Sequence, residues 1–220
     1  NMTKTKTNNL YKHVNFLCDL IPYRNYQNLE SLNQCVDYIE AAFKSYGLQT
    51  RLQHWEANGE TYTNVIANYQ PNKNKTLVVG AHYDVCGDQD GADDNASAVA
   101  GLLETARLVA EQHPALDYGI EFVAYCLEEP PFFGTELMGS YIHAKSLHDA
   151  KTDVLGMICY EMIGYFSDEP NSQSYPDPLL EQLYPTTANF IVCVGIQKCA
   201  AFQHQFYKNM KAGAQIDVQT

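Results

Sequence analysis

Short apolar runs alternate with amphipathic segments along the chain, and this alternation constrains the fold more than any other feature. The runs 76–81, 120–127 and 154–160 are almost wholly apolar. Such runs are typical of strands that are buried on both faces of a parallel sheet. Between them, residues 95–112 carry apolar side chains at helical spacing, and residues 135–148 are predicted to form another helix. Alternating strands and helices indicate an α/β protein.

The N-terminal part of the chain adds helices and a hairpin to this pattern. Apolar stripes predict helices over residues 8–20 and 32–43, the second of them ended by Gly47. Strands are predicted over 48–55 and 60–69, and the Asn-Gly pair between them is a strong signal for a β-hairpin. A hairpin adds antiparallel pairing, so we predict a three-layer α/β/α sandwich with a mixed, centrally parallel sheet.

The C-terminal part begins with a polar stretch, 165–189, which is rich in Ser, Pro, Asp and Asn and predicts a long surface loop. A buried strand over 190–196 and a helix over 198–212 follow, and residues 216–220 resemble the start of another strand. No linker-like segment divides the chain, so we predict one domain over residues 1–220.

Charge and composition exclude several classes of protein. The chain has 220 residues with 14 basic against 26 acidic side chains, a formal net charge of −12. A protein that binds the nucleic-acid backbone needs a basic face, so we predict no nucleic-acid partner. No apolar run reaches the roughly 18–20 residues of a membrane span. The seven Cys residues form no CxxC pair and fit buried thiols better than a complete disulfide framework, although a disulfide stays open.

Chemistry-bearing side chains follow the predicted strands at the edge where ligands bind in such sheets. They are His82, Asp84, Asp93, Asp94, Glu128, Glu129 and Glu161. Clustered carboxylates repel one another by roughly 4 kcal/mol per pair at 4 Å and an effective dielectric near 20, so a cation is expected among them. A mixed imidazole and carboxylate set suits Zn²⁺ better than Ca²⁺, which prefers oxygen ligands alone.

Each of these residues also has an ordinary structural interpretation. A single His after a strand is usually structural, and Asp93, Asp94 and Asn95 would serve equally well as helix caps. The joint occurrence of ligand-type groups at separate strand ends favours the metal site. Asp84 stands two residues after His82, so the two share a face if the strand continues, and Asp84 would then orient the imidazole.

The motifs as a set resemble the co-catalytic zinc aminopeptidases, a group that includes the bacterial leucyl aminopeptidases and is related to glutaminyl cyclases and glutamate carboxypeptidases. They are Gly80-Ala81-His82-Tyr83-Asp84, Gly91-Ala92-Asp93-Asp94-Asn95-Ala96-Ser97, Glu128-Glu129 and Glu161-Met162-Ile163-Gly164. The resemblance covers residues 30–165 and implies a site with two zinc ions in an α/β/α sandwich. It implies that His82 and Glu161 bind one zinc, that Glu129 binds the other, and that Asp94 bridges both.

The resemblance also assigns the catalytic positions. Glu128 stands where the family has its general base, and Asp84 stands where a carboxylate supports the metal-bound His. Two Zn²⁺ ions activate a water and polarise the scissile carbonyl, and Glu128 takes a proton from that water and delivers it to the leaving amine. These roles imply an aminopeptidase that hydrolyses the N-terminal bond of a peptide or aminoacyl substrate.

One departure concerns the family's fifth protein ligand, a His far downstream. After Glu161 the chain has one His, His204, inside a predicted helix. We therefore expect a chain that lacks its C-terminal part and binds the second zinc weakly or not at all. A glutaminyl cyclase, another amide-hydrolysing relative or a non-catalytic homologue stay open as alternatives. Family members are often exported, which is the localisation we expect, although the scattered Cys residues point mildly the other way.

Overall fold

A computed structural model describes residues 4–220 of the protein. Residue contacts divide the chain into two compact units, residues 1–163 and 164–220, each of which is described by itself. The prediction of one catalytic domain over residues 1–220 stays a prediction.

The first unit is built on a five-stranded sheet in the order β1-β2-β4-β3-β5. Its strands are β1 (Gln49–Ala57), β2 (Glu60–Tyr69), β3 (Lys75–His82), β4 (Gly119–Tyr125) and β5 (Asp153–Cys159). The pairs β1–β2 and β2–β4 are antiparallel, whereas β3 runs parallel to both β4 and β5. The prediction of a mixed sheet with a parallel centre is therefore confirmed.

The turn between β1 and β2 has the geometry that its sequence predicts. Asn58 and Gly59 have φ angles of 51° and 83°, and the flanking residues Ala57 and Glu60 pair across the hairpin. Two consecutive positive φ angles define the turn that matches the twist of the adjoining strands, and Asn-Gly adopts it most readily.

Helices cover both faces of the sheet. The elements α1 (Thr7–Cys18), α2 (Leu29–Ser45) and α3 (Ala98–Gln112) supply Leu17, Ile39 and Leu102 to a large core on one face. On the other face, Leu147 of α4 (Gly139–Asp149) packs against a smaller cluster that contains Val123. Burial of apolar side chains on both faces makes the three layers.

Two predicted helices begin later than the sequence pattern indicates. The predicted helix 95–112 is α-helical only from Ala98, because residues 92–97 form a wider, irregular turn with non-helical backbone at Asp94 and Asn95. The predicted helix 135–148 begins at Gly139, since residues 127–138 form turns instead.

The prediction of a buried strand over 154–160 is wrong in its burial. The segment forms β5, but β5 lies at the edge of the sheet, and Val154, Leu155 and Met157 are each 38–43% exposed. An apolar run predicts a strand, whereas its place in the sheet depends on pairing with distant residues.

The second unit contains α5 (Ala200–Gly213) and a two-stranded parallel sheet formed by β6 (Phe190–Val192) and β7 (Asp217–Gln219). The prediction of a buried strand over 190–196 is wrong in both length and burial, because pairing ends at Val192 and Val194 is 84% exposed. Residues 165–189 contain one short helical turn, Leu180–Gln182, and otherwise form the predicted loop. In the described part of the chain, no helix is both long and apolar enough to span a membrane.

Candidate metal centre

The carboxyl ends of the three parallel strands bring most of the predicted site residues together. His82 is the last residue of β3, Glu128 and Glu129 follow β4, and Glu161 follows β5. Asp94 reaches the same edge from the irregular turn before α3. His82 is buried, and its Nε2 lies 3.2 Å from Asp94 Oδ1, 3.6 Å from Glu128 Oε2 and 3.5 Å from Glu161 Oε2.

These distances suit a zinc ion bound by His82, Asp94 and Glu161. One ligand atom from each residue lies within 4.8 Å of the others. Zn–ligand bonds of about 2.0–2.1 Å in a tetrahedron place ligand atoms about 3.3–3.4 Å apart, close to the observed separations from His82. Asp94 Oδ1 is buried and accepts no hydrogen bond among the described residues. A buried carboxylate oxygen without a donor is what a metal ligand presents.

Glu129 belongs to a second group of candidate ligands. Atoms of His82, Glu128 and Glu129 also lie within 4.8 Å of one another. In the family pattern Glu129 and Asp94 bind the second metal together with the downstream His. His204, the one His after Glu161 in the sequence, is an exposed residue of α5 in the second unit. The two groups of candidate ligands have His82 in common, and in the family pattern the second metal takes Asp94 and Glu129 from the first unit.

Asp84 makes contacts beyond the predicted one with His82. It lies after the end of β3, so the condition for a shared strand face is not met. His82 Nδ1 instead lies 3.1 Å from the backbone oxygen of Asp84 and 3.4 Å from its Oδ1. The same carboxylate accepts hydrogen bonds from the backbone N–H groups of Glu128 and Glu129 at 3.2 and 3.1 Å. Asp84 thus connects the imidazole to the Glu128-Glu129 segment.

Asn95 has a role that the sequence analysis missed. Its side chain is fully buried, and its Oδ1 accepts the backbone N–H of Met162 at 3.0 Å. Its Nδ2 donates to the Tyr160 carbonyl at 3.3 Å and to Glu161 Oε2 at 3.4 Å. Asn95 therefore holds the segment that carries Glu161, and it does not cap α3. Its position beside Asp93 and Asp94 could have indicated this role, but the sequence analysis interpreted all three residues as possible helix caps.

The electrostatics of the site favour added positive charge. Burial alone lowers the pKa of His82, but the close approach of Asp84, Asp94 and Glu161 raises it to about 12. Burial raises the pKa of Glu129 to about 7, with a further contribution from the charge of Asp94. In the described residues, no Lys or Arg side chain lies within 4.0 Å of any of these carboxylates. Among the described residues, His82 is therefore the one cationic side chain in contact with the cluster.

Comparison with known families and structures agrees with this geometry. The model of Peptidase family M28 matches residues 64–212, a range that contains every candidate ligand. The chain belongs to peptidase family M28. The resemblance to zinc aminopeptidases and glutaminyl cyclases is thereby confirmed at the level of the family.

Similar proteins include both peptidases and cyclases. The chain is 42% identical over 194 residues to the uncharacterized protein YfbL of Escherichia coli K12, covering 84% of this chain and 58% of that protein. It is 30% identical over 164 residues to leupeptin-inactivating enzyme 1 of Streptomyces exfoliatus, covering 73% of this chain and 35% of that enzyme. The chain thus spans about a third to three-fifths of the length of these relatives.

Solved structures share the fold. A leucine aminopeptidase precursor from Bacteroides thetaiotaomicron superposes with a TM-score of 0.63 and 25% identity, covering 74% of this chain and 64% of that one. The Porphyromonas gingivalis glutaminyl cyclase superposes with a TM-score of 0.63 and 27% identity, covering 80% and 68%. The glutaminyl cyclase of Bacteroides thetaiotaomicron, at 22% identity, covers 97% of this chain with a TM-score of 0.70 and shows the fold alone.

Proposed function

We propose that this protein is a zinc-dependent exopeptidase that removes the N-terminal residue of a peptide. The observation that carries the proposal is the convergence of Asp94, Glu128 and Glu161 on the Nε2 atom of a buried His82, with no Lys or Arg side chain of the described residues within 4.0 Å of these carboxylates. Such a cluster is electrostatically costly unless a cation binds among the carboxylates. Membership of a peptidase family supports hydrolysis as the chemistry.

His82, Asp94 and Glu161 would hold one zinc ion, and Asp94 with Glu129 would contribute to a second. Bound zinc lowers the pKa of a water molecule and polarises a peptide carbonyl. Glu129 is fixed at its backbone by Asp84. With its side chain engaged in metal binding, Glu129 is unsuited to proton transfer.

Glu128 is the proposed general base. Its side chain reaches the site but is 29% exposed, and burial raises its carboxyl pKa. A raised carboxyl pKa lies closer to neutral pH, where a general base both accepts and returns a proton more readily. Glu128 would accept the proton of the attacking water and deliver it to the leaving amine, while Asp84 fixes the backbone from which Glu128 projects.

The charge of the site favours the amino end of a peptide. Asp84, Asp94, Glu128, Glu129 and Glu161 carry up to five negative charges, against the four positive charges of two zinc ions. An excess of carboxylates attracts an α-ammonium group, and this supports an aminopeptidase.

Glutaminyl cyclisation is the second candidate. Glutaminyl cyclases at 26–27% identity share the fold. The two groups of candidate ligands in the first unit share His82, and this shared ligand suits one metal. A non-catalytic homologue, which the sequence analysis leaves open, is the third candidate.

An assay with aminoacyl and glutaminyl chromogenic substrates separates these candidates. We expect hydrolysis that a chelator abolishes, that zinc restores and that His82→Ala eliminates. His54→Ala is the matched control, since His54 lies on β1 and contacts Thr63 outside the site. Cyclisation of the glutaminyl substrate alone would favour the cyclase, and zinc binding without turnover of either substrate would favour the non-catalytic homologue. Hydrolysis that survives both chelation and His82→Ala would refute the proposal.

A further inference from the structure

Arg24 is a buried cation whose partners are backbone oxygens. Its side chain is 1% exposed, and its guanidinium donates to the carbonyls of Tyr83, Leu17, Asp90 and Gly91. In the described part of the chain, no carboxylate lies within 4.0 Å of it. A fully buried Arg that binds carbonyls instead of an acid uses its planar fork of donors to fix backbone positions.

Three of those carbonyls belong to the loop that joins two candidate zinc ligands. The loop leaves β3 after His82 and ends at Gly91, three residues before Asp94. Arg24 Nε binds the Tyr83 carbonyl at 2.8 Å at one end, and Nη2 binds the Gly91 carbonyl at 2.8 Å at the other. One rigid group therefore spans the loop between the two ligands.

The neighbouring backbone and side chain reinforce this contact. The carbonyl of Arg24 accepts the N–H of Val85 at 3.1 Å, and Asn25 Nδ2 donates to the Gly87 carbonyl at 2.9 Å. Asn25 Nδ2 also reaches Asp88 Oδ1 at 3.2 Å. The middle of the loop is thus fixed by the same short segment as its ends.

Packing around Gly91 shows how closely the parts fit. Gly91 has a φ of 60°, and a Cβ atom there would lie 2.4 Å from the Asp94 carbonyl and 2.9 Å from Arg24 Nη2. Glycine is the residue that tolerates both the positive φ and this close approach. Any shift of the guanidinium is therefore transmitted to the turn that carries Asp94.

We propose that Arg24 is a positioning residue for the metal centre, which sets the separation of His82 and Asp94 by holding both ends of the loop between them. The inference rests on the proposed zinc site. Residues that position metal ligands without touching the metal typically change affinity by about 10–100-fold when substituted. Lys keeps the charge of Arg24 but lacks the planar fork, so charge alone would not preserve the geometry.

Zinc titration of the full chain against a chromophoric chelator tests this role. Arg24→Lys should remain folded by far-UV circular dichroism and bind zinc about 10–100-fold more weakly. Arg107→Lys is the matched control, because Arg107 is a buried Arg that binds Glu104 and the Lys4 carbonyl away from the loop. Its zinc affinity should stay within about twofold of wild type. If Arg24→Lys does not fold, Asn25→Ala should weaken zinc binding by about 2–10-fold through loss of a hydrogen bond to the loop.

Amide hydrogen exchange of zinc-free protein gives a second readout that needs no metal. The Val85 amide donates to the Arg24 carbonyl, and the Ala96 amide donates to the Gly91 carbonyl. Both amides should exchange faster in Arg24→Lys than in wild type, and their exchange rates should be unchanged in Arg107→Lys. Three results would overturn the inference. They are a folded Arg24→Lys with wild-type zinc affinity, unchanged exchange of both amides in that variant, and an equal loss of zinc affinity in Arg107→Lys. Failure of the wild-type chain to bind zinc would refute the proposed function instead, and the exchange data would still decide whether Arg24 fixes the loop.

Discussion

Two groups of acids in the first unit, the buried Glu104 and the partly exposed carboxylates around His82, are compensated in opposite ways. Glu104 of α3 is 1% exposed and accepts hydrogen bonds from Arg107, the backbone N–H of Lys6 and Asn9. The carboxylates around His82 have no Arg or Lys partner among the described residues. The protein neutralises the first group itself, and we propose that a bound cation neutralises the second.

The pKa values express the same difference. Burial alone raises the pKa of Glu104, but the hydrogen bonds from Arg107 and Lys6 outweigh it and bring the value to about 2. Burial and the charge of Asp94 raise the pKa of Glu129 to about 7. A structural carboxylate is thus stabilised in its ionised form, whereas burial and neighbouring negative charges destabilise the ionised forms of Glu128 and Glu129. We expect substitutions in the two groups to have opposite consequences.

The largest expected effect is on turnover. Glu128→Gln removes the proposed general base and should lower the rate of substrate hydrolysis by about 10²–10⁴-fold. Because Glu128 is not assigned as a zinc ligand, the zinc content should stay near that of wild type. Steady-state kinetics and elemental analysis of the same preparation provide the check. If the variant loses zinc as well as activity, Glu128 is the metal ligand and Glu129 the general base, the reverse of the proposed assignment.

The next effect is on stability and concerns the other group. Glu104→Gln should lower the free energy of unfolding at pH 7 by about 3 kcal/mol, since the pKa falls from 4.5 to about 2 on folding. A lowered carboxyl pKa stabilises the fold above pH 4.5, and that contribution disappears as the pH falls toward 2. Urea unfolding at several pH values should show this loss in wild type and a flatter profile in Glu104→Gln. Equal pH profiles for the two proteins would contradict the assignment.

The smallest expected effect completes the comparison. Glu129→Gln removes one carboxylate from the group around His82. The free energy of unfolding of the zinc-free variant should therefore equal that of zinc-free wild type or exceed it by about 0.5–1 kcal/mol. Zinc affinity should fall in the same variant, because a ligand is lost. Urea unfolding in chelator and a zinc titration measure the two quantities. Destabilisation of the zinc-free variant on the scale of Glu104→Gln would show that the two groups do not differ.

The sequence was most informative where local pattern determines structure. Apolar runs with ligand-type residues at their ends predicted the parallel strands and the shared edge, because side-chain alternation and strand direction follow from local chemistry. Asn58 and Gly59 predicted the hairpin for the same reason. The clustering of His82, Glu128 and Glu161 followed from their places just past the predicted strands, whereas Asp94 reaches the site from the turn before α3.

Features that depend on distant parts of the chain were missed. The exposure of β5 follows from its edge position, which no property of residues 153–159 reveals. The irregular turn at residues 92–97 interrupts a helical pattern because Asn95 binds the segment around Glu161 instead of capping α3. Arg24 looks like an ordinary surface residue in sequence, and only the fold places it against the loop at the metal centre.

The most direct test of the account is a crystal structure of the full chain grown with zinc, with anomalous diffraction recorded at the zinc edge. The account predicts an anomalous peak bonded to His82 Nε2 and to carboxylate oxygens of Asp94 and Glu161. Ordered side chains at these positions without a peak between them, or a zinc ion bound only elsewhere on the protein, would contradict it.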